Sequence, residues 1–492
     1  MRSTVAALLT ALVLFSKCFA VKDSSLRSLA ALLNSAQAQD LFKRWTGGQN
    51  DSTQFLTLLE PWLFSFSEPK PTVWSNPDKQ RLDCGNPRYS RVLSGKRAEK
   101  PAWIIDFVPF GYDFDKLLVR FKENYDVVDI FVVYEQRFNF LGQHKPLYFQ
   151  KFMQDSDLNT TFAPFMDKVM HLTPHQEDVE AVVKVVVGAN ERHETMLSDA
   201  VYAMPFFFNR DIVRRFINAS SHPLKVALDL HMKMGGAALG IQNDGDEIIS
   251  GVVLQHLKYC SIRPQVNQIY TPCTSYKSNF NWLQHTHDMT CFTSAHGDDS
   301  GLRLDAELRH FLWREGPYVW PLGEMLASES LLRRNVSDDA CHHHMGLGAA
   351  VHLSAIIDPV EVWIKSCSTV ENRGQCAESV SPALLAAGKR GEITPQIIYD
   401  STISPWCNRK FRAAHVDELT GAARASLQST QPWFLKYNRP SFPFMFPQLN
   451  HDLFSKSAIP TWLNECGILT LRRTPRLDRE SFLLSSSRRA RK

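Results

Sequence analysis

The chain has 492 residues, 44% of them apolar and 11% aromatic, which supplies a sizeable core and excludes an intrinsically disordered protein. With 55 Lys and Arg against 51 Asp and Glu, the formal net charge is only +4. No strong field therefore points to nucleic acid or to an anionic membrane surface.

The N-terminus opens with Arg2, an apolar run from Val5 to Phe15, and Ser16-Lys17-Cys18-Phe19-Ala20, which ends on a small residue that signal peptidase accepts. A helix over that run spans roughly 16 Å, short of a hydrocarbon core of ~30 Å, and Lys17 stops its extension. Residues 1–20 are expected to be a cleaved signal peptide or a type II signal-anchor in the membrane. Either places the remainder in the secretory pathway, with the Golgi lumen as the expected site. Four N-glycosylation triplets, at Asn50, Asn159, Asn218 and Asn335, fit that compartment. So do ten cysteines without a CxxC pair, which suit disulfides better than a zinc module. If Cys18 leaves with a signal, an odd number remains and at least one is unpaired.

Residues 21 to about 100 mix short helical patterns (Leu26, Leu29, Leu32, Leu33) with Pro61, Pro69, Pro71, Pro77 and Pro87, and read as a stem or N-terminal extension. The texture changes at Trp103. Residues 103–110 are strand-like, residues 115–125 carry Leu117, Leu118, Phe121 and Tyr125 on one helical face, and residues 127–134 form an apolar strand. A strand at residues 168–172, helical patterns at 179–187 and 211–217, an apolar strand at 237–241 and a helix at 250–259 capped by Ser250 continue the alternation. The expected fold is α/β, a mostly parallel sheet flanked by helices on both faces. Beyond it come aromatic loops (Phe280, Trp282, Trp313, Trp320) and a Pro-rich stretch from Trp433 to Phe446, an irregular C-terminal half. The catalytic domain is expected over residues 101–440. Residues 441–492 are expected to be an extension ending in a basic tail, Arg472 to Lys492.

Three aspartate pairs are spaced one residue apart: Asp113/Asp115, Asp155/Asp157 and Asp244/Asp246. The first stands before a helix, where carboxylates serve free N–H groups and the dipole. The second lies in a polar loop beside Asn159. Only Asp244-Gly245-Asp246-Glu247 follows an apolar strand, encloses a glycine and leads toward a helix. It thus lies at the carboxyl edge of the strands, where open α/β sheets bind nucleotides. A nucleotide-sugar diphosphate concentrates negative charge there, and cleavage at the sugar C1 builds more. A Mn²⁺ or Mg²⁺ ion held by one or two carboxylates offsets it. Gly245 is expected to let the backbone approach the diphosphate, and turn acids without a metal are the open alternative.

Leu117-Leu118-Val119-Arg120-Phe121, Val127 to Glu135 and Phe140-Leu141-Gly142-Gln143-His144-Lys145-Pro146-Leu147-Tyr148-Phe149 closely resemble glycosyltransferase family 17. Asn243-Asp244-Gly245-Asp246-Glu247-Ile248 with Leu254-Gln255-His256-Leu257-Lys258 resembles that family's Asp-x-Asp-Glu-Ile segment and its helix. The resemblance covers roughly residues 103–375. It implies a GT-A-like nucleotide-sugar-binding sheet and a UDP-sugar donor. It further implies Arg120, Glu135 and Lys145 on the donor side and Asp244 and Asp246 as ligands of the divalent metal, with Asp246 catalytic. His342, in Cys341-His342-His343-His344, stands nearest the family's Gly-Trp-His-Cys-Ser segment and is the implied further ligand. Lys365 matches a Lys-containing segment that meets phosphate. Intramolecular roles stay open for several of these: Arg120 with Glu123 or Asp129, Lys145 in a solvated loop, Glu247 orienting neighbours, Lys365 on a core element.

Two departures from the family are the triple histidine and Ile249, where the family places proline. The activity implied is inverting, β-1,4 transfer of N-acetylglucosamine from UDP-GlcNAc to a mannose of a glycoprotein N-glycan. The base belongs among Asp298, Asp299, Asp305, Glu307, Glu315 and Asp338, with Asp305 taken here. Binding of a nucleotide sugar or glycan without transfer is the rival of a different class, and glycoside hydrolysis is a third.

Overall fold

The computed structural model describes parts of residues 33–57, then residues 71–78, 81–154, 159–192, 198–277, 279–284, 311–313, 316–327, 343–346, 348–355, 413–416 and 419–442, with isolated positions including 194, 308, 364, 365 and 368. In chain order the elements that position the site begin with β1 (Leu93–Arg97), β2 (Trp103–Phe110), α1 (Phe114–Asn124), β3 (Ile130–Glu135), α2 (Tyr148–Gln154) and β4 (Val169–Leu172). Three helices follow, α3 (Gln176–Glu191), α4 (Ala203–Asn218) and α5 (Pro223–Lys233), then β5 (Ala238–Gln242), β6 (Glu247–Ile249) and α6 (Gly251–Tyr259). The second half supplies β7 (Cys260–Ile262), β8 (Ile269–Tyr270), β9 (Cys273–Lys277), β10 (Asn279–Gln284), β11 (Leu312–Trp313), β12 (Tyr318–Pro321), α7 (Leu322–Ala327), β13 (Ala350–Ala355), β14 (Ala413–His415), α8 (Gly421–Thr430) and α9 (Trp433–Tyr437).

The architecture is mixed α/β. One six-stranded sheet runs β4-β3-β2-β5-β12-β8, with β4, β3, β2 and β5 parallel and β12 antiparallel to both of its neighbours, β5 and β8. Its strands are apolar on both faces because both faces are covered. Ile105, Phe107, Ile130 and Val132 pack against Phe208, Ile212 and Phe216 of α4, and Leu228 of α5 joins them. On the other side Ile104, Val108, Phe131 and Val133 meet Leu117, Leu118 and Phe121 of α1 and Leu254 and Leu257 of α6. Each such buried side chain contributes about 1.5–3 kcal/mol, so the 3.6-residue stripe of α1 suffices to dock it.

The order of the parallel strands sets the ends of β2 and β5 side by side. From β2 the chain moves outward through β3 to β4, then returns to lay β5 on the other side of β2. The connections leaving β2, through α1, and β5, through β6 and α6, both pack on the same face of this sheet, so the turn after β5 lies against the end of β2. The Asp-Gly-Asp segment leaves β5 at that point.

Three expectations are corrected here. The strand before the acids does not hand over directly to a helix: β6 intervenes and joins a second sheet, β14-β10-β9-β13-β6, by pairing antiparallel with β13. Ser250 sits at the N-cap of α6 but its side chain makes no capping bond. The exposed Gly251 N–H is taken instead by the Glu123 carboxylate at 3.0 Å, and a β-carbon at residue 251 would lie 2.6 Å from the Glu123 carbonyl oxygen. Finally, part of the expected N-terminal extension is built into the core. β1 pairs with β7, Cys84 is disulfide-bonded to Cys260, and Tyr89 packs on His256 with ring centroids 4.7 Å apart. Residues 72 and 73 are tied to Asn438 just after α9, both amides donating to its Oδ1 at 2.9 Å. Cys273 is fully buried in the core.

Candidate active site

Beneath the Asp-Gly-Asp turn lies Arg120, one of the largest side chains in the core and fully buried on α1. Its Nη1 donates to Asn243 Oδ1 at 3.0 Å and reaches Asp106 Oδ1 at 3.4 Å, while Nη2 donates to the carbonyl oxygens of Asp244 (2.8 Å) and Glu247. Burial pushes the Asp106 carboxyl up against the opposing pull of Arg120 and Asn243. The planar fork of one guanidinium thus pins both ends of the turn. Arg120 pairs with neither Glu123 nor Asp129, and with no exposed surface it holds the motif in place instead of touching a ligand. Asp129 is served by Lys258 at 2.8 Å.

The turn itself closes with Glu247 N–H donating to Asp244 O at 3.1 Å and Asp244 N–H to Glu247 Oε2 at 3.1 Å. Glu247 is therefore the orienting group, fully buried. A β-carbon at Gly245 would stand 2.9 Å from the carbonyl oxygen of Pro109, near the end of β2. The approach of turn to strand by itself requires a glycine here.

The two aspartates differ. Asp244 is exposed. Asp246 is buried, and its Oδ2 accepts a hydrogen bond from Lys365 Nζ, with His352 Nε2 3.7 Å away. Burial alone would push the Asp246 carboxyl up; Lys365 and His352, with Lys116 behind them, hold it well below the usual carboxylate range. Conversely, burial would neutralise Lys365, but Asp246, Asp113 and Asp244 keep its ammonium charged far above neutrality. Asp113, at the N-cap of α1, makes no capping bond and pairs with Lys116 at 3.2 Å. Asp113 therefore contributes to the field at this edge as well as standing at a helix terminus.

Glu135 and Lys145 form a neighbouring cluster. Phe110, at the end of β2, is in register with Glu135, at the end of β3. The fully buried Glu135 carboxylate accepts from the N–H groups of Phe149 (3.0 Å) and Gln150 (3.2 Å) at the start of α2. Lys145 Nζ lies 3.8 Å from Glu135 Oε1 and donates to Gly111 O at 3.3 Å; His171 Nε2 stands 3.6 Å from Oε2. Burial pulls the Lys145 ammonium down, partly countered by Glu135. Glu135 is thus a helix cap and Lys145 a buried counter-ion at the carboxyl edge.

His342, Asp305, Asn50, Asn335 and the pair Asp155/Asp157 lie outside the described residues. Asn159 opens a 3-10 turn, and Asn218 is exposed at the end of α4. Of the histidine run, His344 is buried in a bridge to Tyr270 and its Nδ1 accepts from Gly346 N–H at 3.1 Å. The histidine beside the acids is instead His352, which sequence reasoning missed. Its only signal was a polar residue inside the apolar strand Ala350-Val351-His352-Leu353; the β13–β6 register sets it opposite Glu247.

Among the described residues no three His, Cys, Asp or Glu side chains gather as a ready-made metal set. Asp244 and Asp246 supply two hard carboxylates at one edge, the number with which Mg²⁺ or Mn²⁺ binds when substrate phosphate and water complete the octahedron. The donor set fits a cation that arrives with a diphosphate, not one caged by protein. No described helix is long and apolar enough to cross a membrane.

Comparison with known proteins adds a partial likeness. Over 95 residues the chain is 36% identical to the β-1,4-mannosyl-glycoprotein 4-β-N-acetylglucosaminyltransferases of rat and human, and 35% identical to that of mouse. Each match covers 18% of this chain and 17% of the relative, so the chain matches about one sixth of the length of these curated relatives. No protein-family profile matches the chain, and no solved structure matches it. The likeness supports a glycosyltransferase and extends no further.

Proposed function

We propose that this protein is a metal-dependent glycosyltransferase that transfers N-acetylglucosamine from UDP-GlcNAc to a mannose of a glycoprotein N-glycan, forming a β-1,4 linkage with inversion. The observation that carries this reading is Asp246, a buried carboxylate kept ionised beside an exposed Asp244 at the carboxyl end of β5. The partial likeness to N-acetylglucosaminyltransferases supports the donor and acceptor classes. A Cys84–Cys260 disulfide and the exposed Asn218 of a glycosylation triplet support a secretory-pathway lumen, with the Golgi as the proposed station.

In the reaction, Arg120 and Glu247 hold the backbone of the turn that carries Asp244 and Asp246. Divalent Mn²⁺ or Mg²⁺, when bound there, supplies Lewis-acid stabilisation of the charge on the departing UDP. Lys365 stands close enough to Asp246 to bring a second positive charge to that leaving group. Asp305 is proposed to take the proton of the attacking mannose hydroxyl on the opposite face of the sugar.

The test is release of UDP from UDP-sugars by the luminal chain with Mn²⁺ and an N-glycan acceptor. Metal-dependent release that Asp246→Asn abolishes is expected. Absence of release with every donor, together with undiminished UDP binding by Asp246→Asn, overturns the reading. Lys365 on Asp246 favours one second reading, binding of a nucleotide sugar without transfer, for which UDP binds but no donor turns over.

A further inference from the structure

We propose that the Lys365 ammonium is a resident cation on Asp246, displaced by the incoming divalent ion and handed to the donor diphosphate. This rests on the metal-dependent reading above and assigns one of its residues a second position.

The geometry points to exchange. Lys365 Nζ donates to Asp246 Oδ2, one of the oxygens a divalent ion would require. The Asp246 side chain is 5% exposed and that of Lys365 19%, so the lysine reaches this acid from the solvent side of the edge. A four-carbon stem bearing a compact charge can swing where a guanidinium fork locked by several acceptors cannot. Three aspartates, 113, 244 and 246, act on this one ammonium, and Lys116 is the partner of the first.

Ammonium and metal compete for the Asp246 carboxylate and repel each other at that range. Their repulsion favours displacement of Lys365 when the metal enters. A diphosphate bound to the metal offers the displaced ammonium new acceptors within the same edge, so nucleotide favours the metal-bound state and metal favours the nucleotide-bound one. By reciprocity the two ligands strengthen each other's binding. Lys365 thereby keeps metal affinity low until the donor arrives, a positioning role exerted through Asp246.

The experiment measures Mn²⁺ binding to the full luminal chain by electron paramagnetic resonance of free Mn²⁺, with and without UDP, and UDP affinity at saturating Mn²⁺. Lys365→Met is expected to bind Mn²⁺ alone roughly tenfold more tightly and UDP roughly tenfold more weakly, with the mutual enhancement between them lost. Lys365→Gln is expected to follow the same pattern, which guards against a single ill-folded variant. Opposite signs for the two ligands cannot come from misfolding, which weakens both. Mn²⁺ affinity unchanged or reduced in both variants, while the wild type binds Mn²⁺ through Asp246, overturns the exchange alone. If the wild type binds no Mn²⁺, or Asp246→Asn binds it equally well, the metal reading falls and the exchange with it.

Discussion

Two ion clusters lie on either side of one turn, built from similar groups and put to different use. Arg120 with Asp106, Asn243 and two carbonyl groups is sealed from water, its bonds distributed over a rigid fork. Asp246 with Lys365 and His352 joins a buried acid to a partly exposed lysine next to the exposed Asp244. A buried cation with several acceptors fixes backbone, whereas a flexible ammonium on one carboxylate oxygen leaves that oxygen open to exchange. Stability should therefore reside in the first cluster and chemistry in the second.

The largest expected effect tests the sealed side. Arg120→Met leaves Asp106 without its cation and strips donors from the turn, and should lower unfolding stability by about 3–5 kcal/mol, read from urea midpoints at constant slope. A loss under ~1 kcal/mol would erase the contrast. Next comes Glu123, a second sealed acid. It accepts from Gly251 N–H at the start of α6 and from Trp433 N–H at the start of α9 at 2.8 Å, and burial pushes its carboxyl up from 4.5 to about 7. Because the folded state binds this proton more tightly than the unfolded one, its contribution is complete below pH 4.5 and is lost as pH rises through 7. The loss amounts to roughly 3 kcal/mol. Unfolding free energies between pH 4.5 and 8 should show this slope in the wild type and a flatter one in Glu123→Gln.

On the open side, Asp246→Asn should reduce turnover at least ~100-fold, about 2.7 kcal/mol of barrier, while unfolding stability changes little, since Lys365 can turn to water. Steady-state UDP release and a urea titration of the same sample decide it; equal losses in both would make the open cluster structural. The smallest effect is that of Gly245→Ala. Its β-carbon meets Pro109 O at 2.9 Å, so the turn must shift, at about 1–2 kcal/mol of stability together with weaker UDP binding. Unchanged binding would show that the approach to β2 serves the fold alone.

Much of this was legible from residue pattern. Apolar runs at residues 103–110 and 127–134 around the stripe of Leu117, Leu118 and Phe121 announced a parallel sheet, and the structure contains it. The Asp-Gly-Asp segment stood out from two similar pairs by following a strand. Other features carried no local mark. Arg120 looked like a donor-side residue because its sequence neighbours do not reveal that it is sealed. Ser250 had the type of a cap, yet Glu123, distant in sequence, performs the capping.

The amino-acid sequence by itself determined the strands and helices around the parallel sheet, and that two carboxylates stand at the carboxyl edge of one strand. Both follow from periodicity and position along a few residues. The segments of Phe280, Trp282, Trp313 and Trp320, expected as loops, are instead strands. Only the tertiary structure decided that Lys365 and His352 meet Asp246. The lysine lies 119 residues downstream, and the histidine is delivered by the register of β13 against β6. Local sequence specifies which face a side chain takes, but register between distant strands follows from burying all those faces together.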